Sequence, residues 1–194
     1  MSDSIHHDVI VIGGGPAGST VARYAAANGA DVLVIDGRDP IGTPLQCGEL
    51  VPSNEEMQRL CPNVPDMDDL FQTPEEAISQ RSTKMHIVPP SGKPMKFAFE
   101  GLVLNRVTHD EALVELAKKS GAKYLVDSHV NSVEDNTVVL RNGSTYSAKI
   151  IVGAGGHNDP LRRDYWNESS LKIPVKFVLM DGDYKETMTK QAHK

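Results

Sequence analysis

The segment from Asp8 to Asp36, DVIVIGGGPAGSTVARYAAANGADVLVID, leaves a chain few ways to fold. Its opening DVIVI is short, apolar and β-branched, the pattern of a strand buried on both faces. The strand feeds into Gly13-Gly14-Gly15-Pro16-Ala17-Gly18, which fits G-x-G-x-x-G. Gly13 allows the tight turn out of the strand, Gly15 lets main chain approach a diphosphate, and Gly18 lets the next helix lie close on the sheet. Pro16 suits a helix start, where a missing N–H costs nothing. The alanine-rich helix AGSTVARYAAANG points its positive end at the phosphates and stops at Asn28-Gly29. A second strand, ADVLVID, ends on Asp36, about 20 residues past the glycines, where a carboxylate meets ribose hydroxyls. The unit does not by itself separate FAD from NAD. The acid at position 36 argues against NADP, whose 2′-phosphate it would repel.

Composition removes several other classes. The chain has 194 residues and 39% apolar content, enough for one packed domain or one with a small companion. Its net charge of −6 and the absence of a Lys/Arg run speak against a nucleic-acid surface. The start, MSDSIHHDVIV, reads as no secretory signal, and no apolar run is long enough to span a bilayer. Cys47 and Cys61 fit a reducing cytosol; their spacing is not CxxC, and a disulfide between them stays open. The acidic run Asp66 to Asp69 reads as a capping or solvated stretch, and no metal site is expected.

Beyond Asp36 the order of elements becomes informative. A long excursion dense in Pro, Gly and Asp follows, with short helices expected around Asn54–Leu60 and Pro74–Gln80. KMHIV and KPMKFAFEGLVLN read as strands joined by the turn PPSGKP. THDEALVELAKKSGA reads as an amphipathic helix capped by Thr108, boxed by Glu111, ended by Gly121, and buried along Leu113, Leu116 and Ala117. Several short strands come next, with turns at Glu134–Asn136 and Asn142-Gly143. AKIIVGAGG is a second apolar strand running into glycines, and IPVKFVLM in the tail is strand-like. Antiparallel strands thus interrupt a βαβ opening, whereas a plain NAD dehydrogenase would continue its βα alternation. The expected fold is α/β: a Rossmann-like, three-layer FAD/NAD(P)-binding domain with an inserted antiparallel β-layer. The expected division is a discontinuous cofactor domain over 1–80 and 106–165, with partial substrate-domain strands over 81–105 and 166–194.

Four segments carry a family resemblance: the opening unit, PLQCGELV (Pro44 to Val51), VLNRVTHDEALVELAKKSGA, and IIVGAGGHNDPLRR. With them the chain resembles FAD-dependent oxidoreductases of the p-hydroxybenzoate-hydroxylase-like superfamily, and within it the geranylgeranyl reductase family, in its N-terminal part only. The resemblance implies FAD on Gly13, Gly15, Pro16, Ala17 and Gly18, with its ribose on Asp36 and further contacts from Gly37, Arg38, Val130, Ala154, Gly155 and Gly156. It implies that Arg106 reaches the ribityl or phosphate region, and that Cys47, Gly48 and Glu49 face the isoalloxazine ring. The reaction implied is hydrogenation of isolated double bonds in a polyprenyl chain by reduced flavin, so an isoprenoid or lipid substrate and peripheral membrane contact follow. Two departures stand. Gly155 occupies the place of the acid in the family's A-D-G-x-x-S segment, and no later Gly-Asp-Ala segment is found, since Gly182-Asp183 is followed by Tyr184.

Single residues keep two readings each. Cys47 is either a residue of the chemistry or a small inert thiol. Glu49 is either a proton donor with a pKa raised by burial or a loop acid. Arg106 meets a flavin phosphate or a local carboxylate, and His157 touches ligand or solvent. His6 and His7 are expected to face solvent. The leading reading is a cytoplasmic, flavin-dependent oxidoreductase domain. Its rivals are a non-catalytic dinucleotide-binding module or truncated subunit completed by a partner chain, and an NAD-binding protein with an unusual insertion.

Overall fold

The computed structural model describes residues 5–44, 49–71 and 73–166. Strand β1 (Ile5–Ile12) passes through the glycine turn into α1 (Pro16–Ala27) and β2 (Val32–Ile35). The excursion holds β3 (Leu50–Pro52), α2 (Asn54–Leu60), α3 (Met67–Leu70) and a single 3₁₀ turn at Glu75–Ala77. A long hairpin of β4 (Ile78–Ile87) and β5 (Met95–Leu104) leads to α4 (Arg106–Lys119). Strands β6 (Lys123–Leu125), β7 (Val130–Glu134), β8 (Thr137–Leu140) and β9 (Thr145–Gly153) follow, then a 3₁₀ turn at Gly156–Asn158 and α5 (Pro160–Trp166).

A six-stranded sheet runs in the order β6-β2-β1-β9-β8-β7. β6, β2, β1 and β9 are parallel, and β8 and β7 are antiparallel additions. α1 carries the chain from β1 to one neighbour, β2, while β9 arrives on the other side only after the whole insertion. That reversal of direction opens a crevice at the carboxyl end of β1. β3, β5 and β4 form a separate antiparallel sheet, the inserted layer.

The β-branched runs explain the core. Val9, Val11, Val32 and Val34 face Ala22 and Ala26 of α1 and Ala117 of α4. Ile10, Ile12, Leu33 and Ile35 face the other way, onto Val133, Val138, Leu140 and Ala148 of the β7–β9 meander. With helices against one face and the β7–β9 end of the same sheet packed against the other, β1 is buried on both faces as its sequence demands. Ile10 and Val11 are 0% exposed, and burying each such side chain contributes about 1.5–3 kcal/mol.

Four local expectations differ from the structure. Pro74–Gln80 is not a helix: one 3₁₀ turn gives way at Ile78 to β4, because pairing with β5 from Ile78↔Leu104 onward overrides local propensity. The helix read from Thr108 starts at Arg106, because Asn105 caps it by accepting the Thr108 amide at 3.3 Å. Its buried positions are Asp110, Val114 and Ala117 rather than the Leu113, Leu116, Ala117 stripe. His7 does not face solvent; it is 6% exposed and bonds Asp31 at 2.7 Å. His6 is exposed and meets the Ser147 hydroxyl at 3.2 Å. The strand-like IPVKFVLM lies outside the described residues.

Candidate functional site

The glycine turn is held from behind. The Gly13 amide donates to Ile35 at 2.8 Å and the Gly14 amide to the Asp36 carboxylate at 2.7 Å. The Ser19 hydroxyl donates to the Gly14 carbonyl at 2.8 Å and accepts from the Tyr124 hydroxyl at 2.9 Å. Ser19 is 1% exposed, so this chain of hydrogen bonds lies beneath the turn. Burial raises the Tyr124 pKa, which keeps its hydroxyl a donor.

The three glycines of the motif differ sharply. A Cβ at Gly18 would sit 1.8 Å from the Gly13 carbonyl, and one at Gly13 would sit 2.4 Å from the Ala154 carbonyl. Those two make room for protein. A Cβ at Gly15 would meet nothing within 4 Å. Gly15 is also the N-cap of α1, with no side-chain cap bond. The amides of the first helical turn have no intrahelical acceptor, so this space is an anion cradle at a helix tip. It fits the diphosphate of a dinucleotide such as FAD. Pro16 is half-buried and Ala17 exposed along the rim of that space.

Asp36 is 5% exposed at the end of β2. Its Oδ1 accepts the Arg38 amide at 2.9 Å and Nε at 3.1 Å; its Oδ2 accepts the Gly14 amide and Arg38 Nη2 at 3.2 Å. All its acceptor positions are in use, so a ribose hydroxyl would reach the carboxylate only by displacing the half-exposed guanidinium. Gly37 provides a seat: a Cβ there would lie 2.3 Å from Nδ1 of His129. The Ser128 amide donates to the Asp36 carbonyl at 2.9 Å, which sets His129 against Gly37, and half-buried Val130 follows it in the chain.

The second glycine turn closes on the first. The Ala154 amide donates to Ile12 at 2.8 Å, placing Ala154 and Gly155 beside Gly13. Asp159, 7% exposed, turns back into it. Its Oδ2 accepts the Gly155 amide at 2.6 Å, and its Oδ1 accepts the Arg162 amide at 3.3 Å. A Cβ at Gly153 or Gly155 would come within 2.6 or 2.9 Å of that carboxylate. An acid thus stands four residues after Gly155, with its carboxylate turned back onto the Gly155 amide. Asp-Pro ahead of a helical run is a cap signature, and it was the signal available for Asp159. His129 and Ser19 had no comparable signal, since both depend on contacts far along the chain.

The remaining candidates are more dispersed. Arg106 opens α4 and pairs with Asp110 through Nη2 at 2.9 Å, both largely buried. Glu49 is half-buried with φ 62, and its carbonyl accepts the Leu104 amide at 2.9 Å. Cys47 and Gly48 lie outside the described residues. Cys61 is half-buried at the end of α2, and His157 is exposed. Asp69 of the acidic run clips α3 to α1, taking Arg23 at 2.6 Å and the Tyr24 hydroxyl. No cluster that could hold a metal ion occurs among the described residues. A cavity of about 560 Å³ lies elsewhere, among α2, α3 and α4, lined by Asp68, Thr73, Glu76 and Glu115. It shares no residue with the glycine turns, and the chemistry of the turns outweighs its size.

Comparison with known proteins agrees with this geometry. The model of the family described as FAD dependent oxidoreductase matches residues 8–84. An uncharacterised protein from the nifH2 5′ region of Methanosarcina barkeri is 38% identical over 81% of this chain and 87% of its own length. Digeranylgeranylglycerophospholipid reductase 1 of Methanococcoides burtonii is 32% identical over 86% of this chain and 41% of its own length. The corresponding reductase of Methanosarcina acetivorans is 34% identical over 86% of this chain and 42% of its own. The chain thus spans about two-fifths of the reductases it matches. A geranylgeranyl bacteriochlorophyll reductase-like protein of Thermoplasma acidophilum superposes with a TM-score of 0.63 at 31% identity, covering 76% of this chain and 38% of that one. The halogenase PltM superposes with a TM-score of 0.61 at 21% identity, a likeness of fold alone. With its open cradle at Gly15, the chain carries an FAD-dependent oxidoreductase segment over residues 8–84 and is similar to the N-terminal part of geranylgeranyl-reductase-like proteins.

Proposed function

We propose that the chain binds FAD and serves a reductase that saturates isolated double bonds of a polyprenyl or other isoprenoid group. The open space at Gly15, at the tip of α1, carries the cofactor half of this reading. The 32–34% identity to digeranylgeranylglycerophospholipid reductases supports the substrate half. Reduced flavin, when bound, supplies a hydride to one alkene carbon. The chain's own residues then have distinct tasks. Gly15 and the first-turn amides of α1 hold the diphosphate, and Asp36 takes the ribose once Arg38 swings aside. Glu49 supplies the proton to the other alkene carbon, and Cys47 is the second residue assigned to the chemistry. Residues 1–80 and 106–165 form the cofactor part, while 81–105 and 166–194 belong to a substrate layer.

The visible spectrum tests the first half: the purified protein carries an oxidised-flavin band that dithionite bleaches. Mass spectrometry tests the second, with a gain of two hydrogens per double bond when reduced protein meets a polyprenyl lipid. Colourless protein that refuses added FAD removes the reading. A second reading is a dinucleotide-binding module completed by a partner chain. Bound flavin without turnover, rescued by a partner, selects it.

A further inference from the structure

The β4–β5 hairpin is unlike the rest of the surface. In a chain with 26 acidic residues and a net charge of −6, residues 82–99 contain no Asp or Glu. They do contain Lys84, His86, Lys93 and Lys96. These three lysines form no ion pair among the described residues. Apolar side chains accompany them. Met85 pairs across from Phe97 and Ile87 from Met95, so the four project from one face. Their exposure grows toward the tip. Leu104 and Leu102 at the base are 1% and 6% exposed, whereas Phe97, Ile87, Val88 and Met95 are 43%, 44%, 55% and 56% exposed. Lys84 and His86, with Lys96 opposite His86, occupy the other face, and Lys93 lies beside the turn.

We propose that the tip of this hairpin, residues 84–97, docks end-on against an anionic lipid bilayer. A protein layer over the apolar face would leave the lysines on the other face without a role. A bilayer met end-on reaches both faces at once. Met95, Phe97, Ile87 and Val88 enter the boundary between headgroups and acyl chains, while the lysine stems run along it and hold their ammonium groups among anionic headgroups. The attraction acts on this patch alone, because the remainder of the chain is acidic and is repelled. No helix among the described residues is long and apolar enough to cross a membrane.

Vesicle co-sedimentation with the full chain tests this. Wild type is expected to sediment with mixed phosphatidylcholine–phosphatidylglycerol vesicles, to stay in solution with phosphatidylcholine alone, and to release as salt rises. Replacing Lys93 and Lys96 by Gln weakens partitioning about fivefold per charge. Met95→Ser with Phe97→Ser weakens it at least about tenfold. The substituted residues are exposed, so circular dichroism and thermal melting remain at wild-type values. Wild type that ignores anionic vesicles, or binds both vesicle types alike, overturns the proposal, as do variants that bind as wild type. Dimers that Met95→Ser with Phe97→Ser dissolve, without vesicle binding by wild type, overturn it in favour of a second copy on this face.

Discussion

Gly15 and Gly18 stand three residues apart in one motif and answer to different masters. Nothing in the protein comes near the place a Gly15 side chain would take, while a Gly18 side chain would enter the Gly13 carbonyl at 1.8 Å. Gly15→Val is therefore expected to leave stability within about 1 kcal/mol of wild type, the cost of a poorer cap. It should abolish FAD binding, read by flavin fluorescence titration. Gly18→Ala is expected to destabilise by about 3 kcal/mol in urea unfolding, through overpacking against main chain that cannot yield. If the two variants lose flavin and stability in equal measure, the cradle at Gly15 has no ligand to hold. The pair Asp36–Arg38 illustrates what residue-level pattern leaves out. The acid was legible from its distance to the glycines, but its bond to the Gly14 amide and its closure by Arg38 needed coordinates.

At the scale of elements, β1, α1, β2 and β9 were legible because their residue types and punctuation agree with their packing. α4 was misplaced at its start because Thr108 with Glu111 imitates a capping box, while Asn105 lies where β5 ends and takes the cap. Pro74–Gln80 was misread because β4 is set by its partner strand, a contact that no local window contains. The turn joining β9 to α5 was half-legible: Gly155 marked a lost acid, and Asp159 restores one from the helix side. Asp159→Ala is expected to cost about 1–2 kcal/mol, combining a lost cap with an unpaired Gly155 amide. Asp159→Asn should cost less, since it still caps. Gly155→Asp should cost more than either, because its side chain enters the Asp159 carboxylate; urea melts of the three rank them. Acid also reaches the edge of the sheet. Lys123, and then His7, hold the Asp31 carboxyl below its ordinary value of 3.8. Folding keeps that carboxylate charged, so the gain is present above pH 3.8 and is lost as pH falls through the lower folded value. Lys123→Ala is expected to make the urea midpoint less sensitive to pH in that window. The effect is small, because Asp31 is 40% exposed.

For the molecule as a whole, the described residues proposed for the cofactor follow one path from the glycine turn. Gly15 and α1 would hold the diphosphate, Asp36 and Arg38 stand at the end of β2, and His129 and Val130 where β7 begins. The 153–156 turn closes that path on the far side of Gly13, and its Gly155 amide is already taken by Asp159. Donors in the described part are therefore concentrated where an adenosine diphosphate group would lie. Under the proposed function the isoalloxazine side falls to Glu49, whose carbonyl accepts the Leu104 amide. Binding energy should divide accordingly. Calorimetric titration is expected to give FAD and ADP affinities within about tenfold of each other, at one competitive site. FMN and riboflavin, which lack the adenosine half, should fail to displace FAD. Gly15→Val should remove FAD and ADP together, since both place a diphosphate in the same space. Should FMN displace FAD as well as ADP does, the ring side would dominate, and the glycine cradle would be an entrance rather than the anchor.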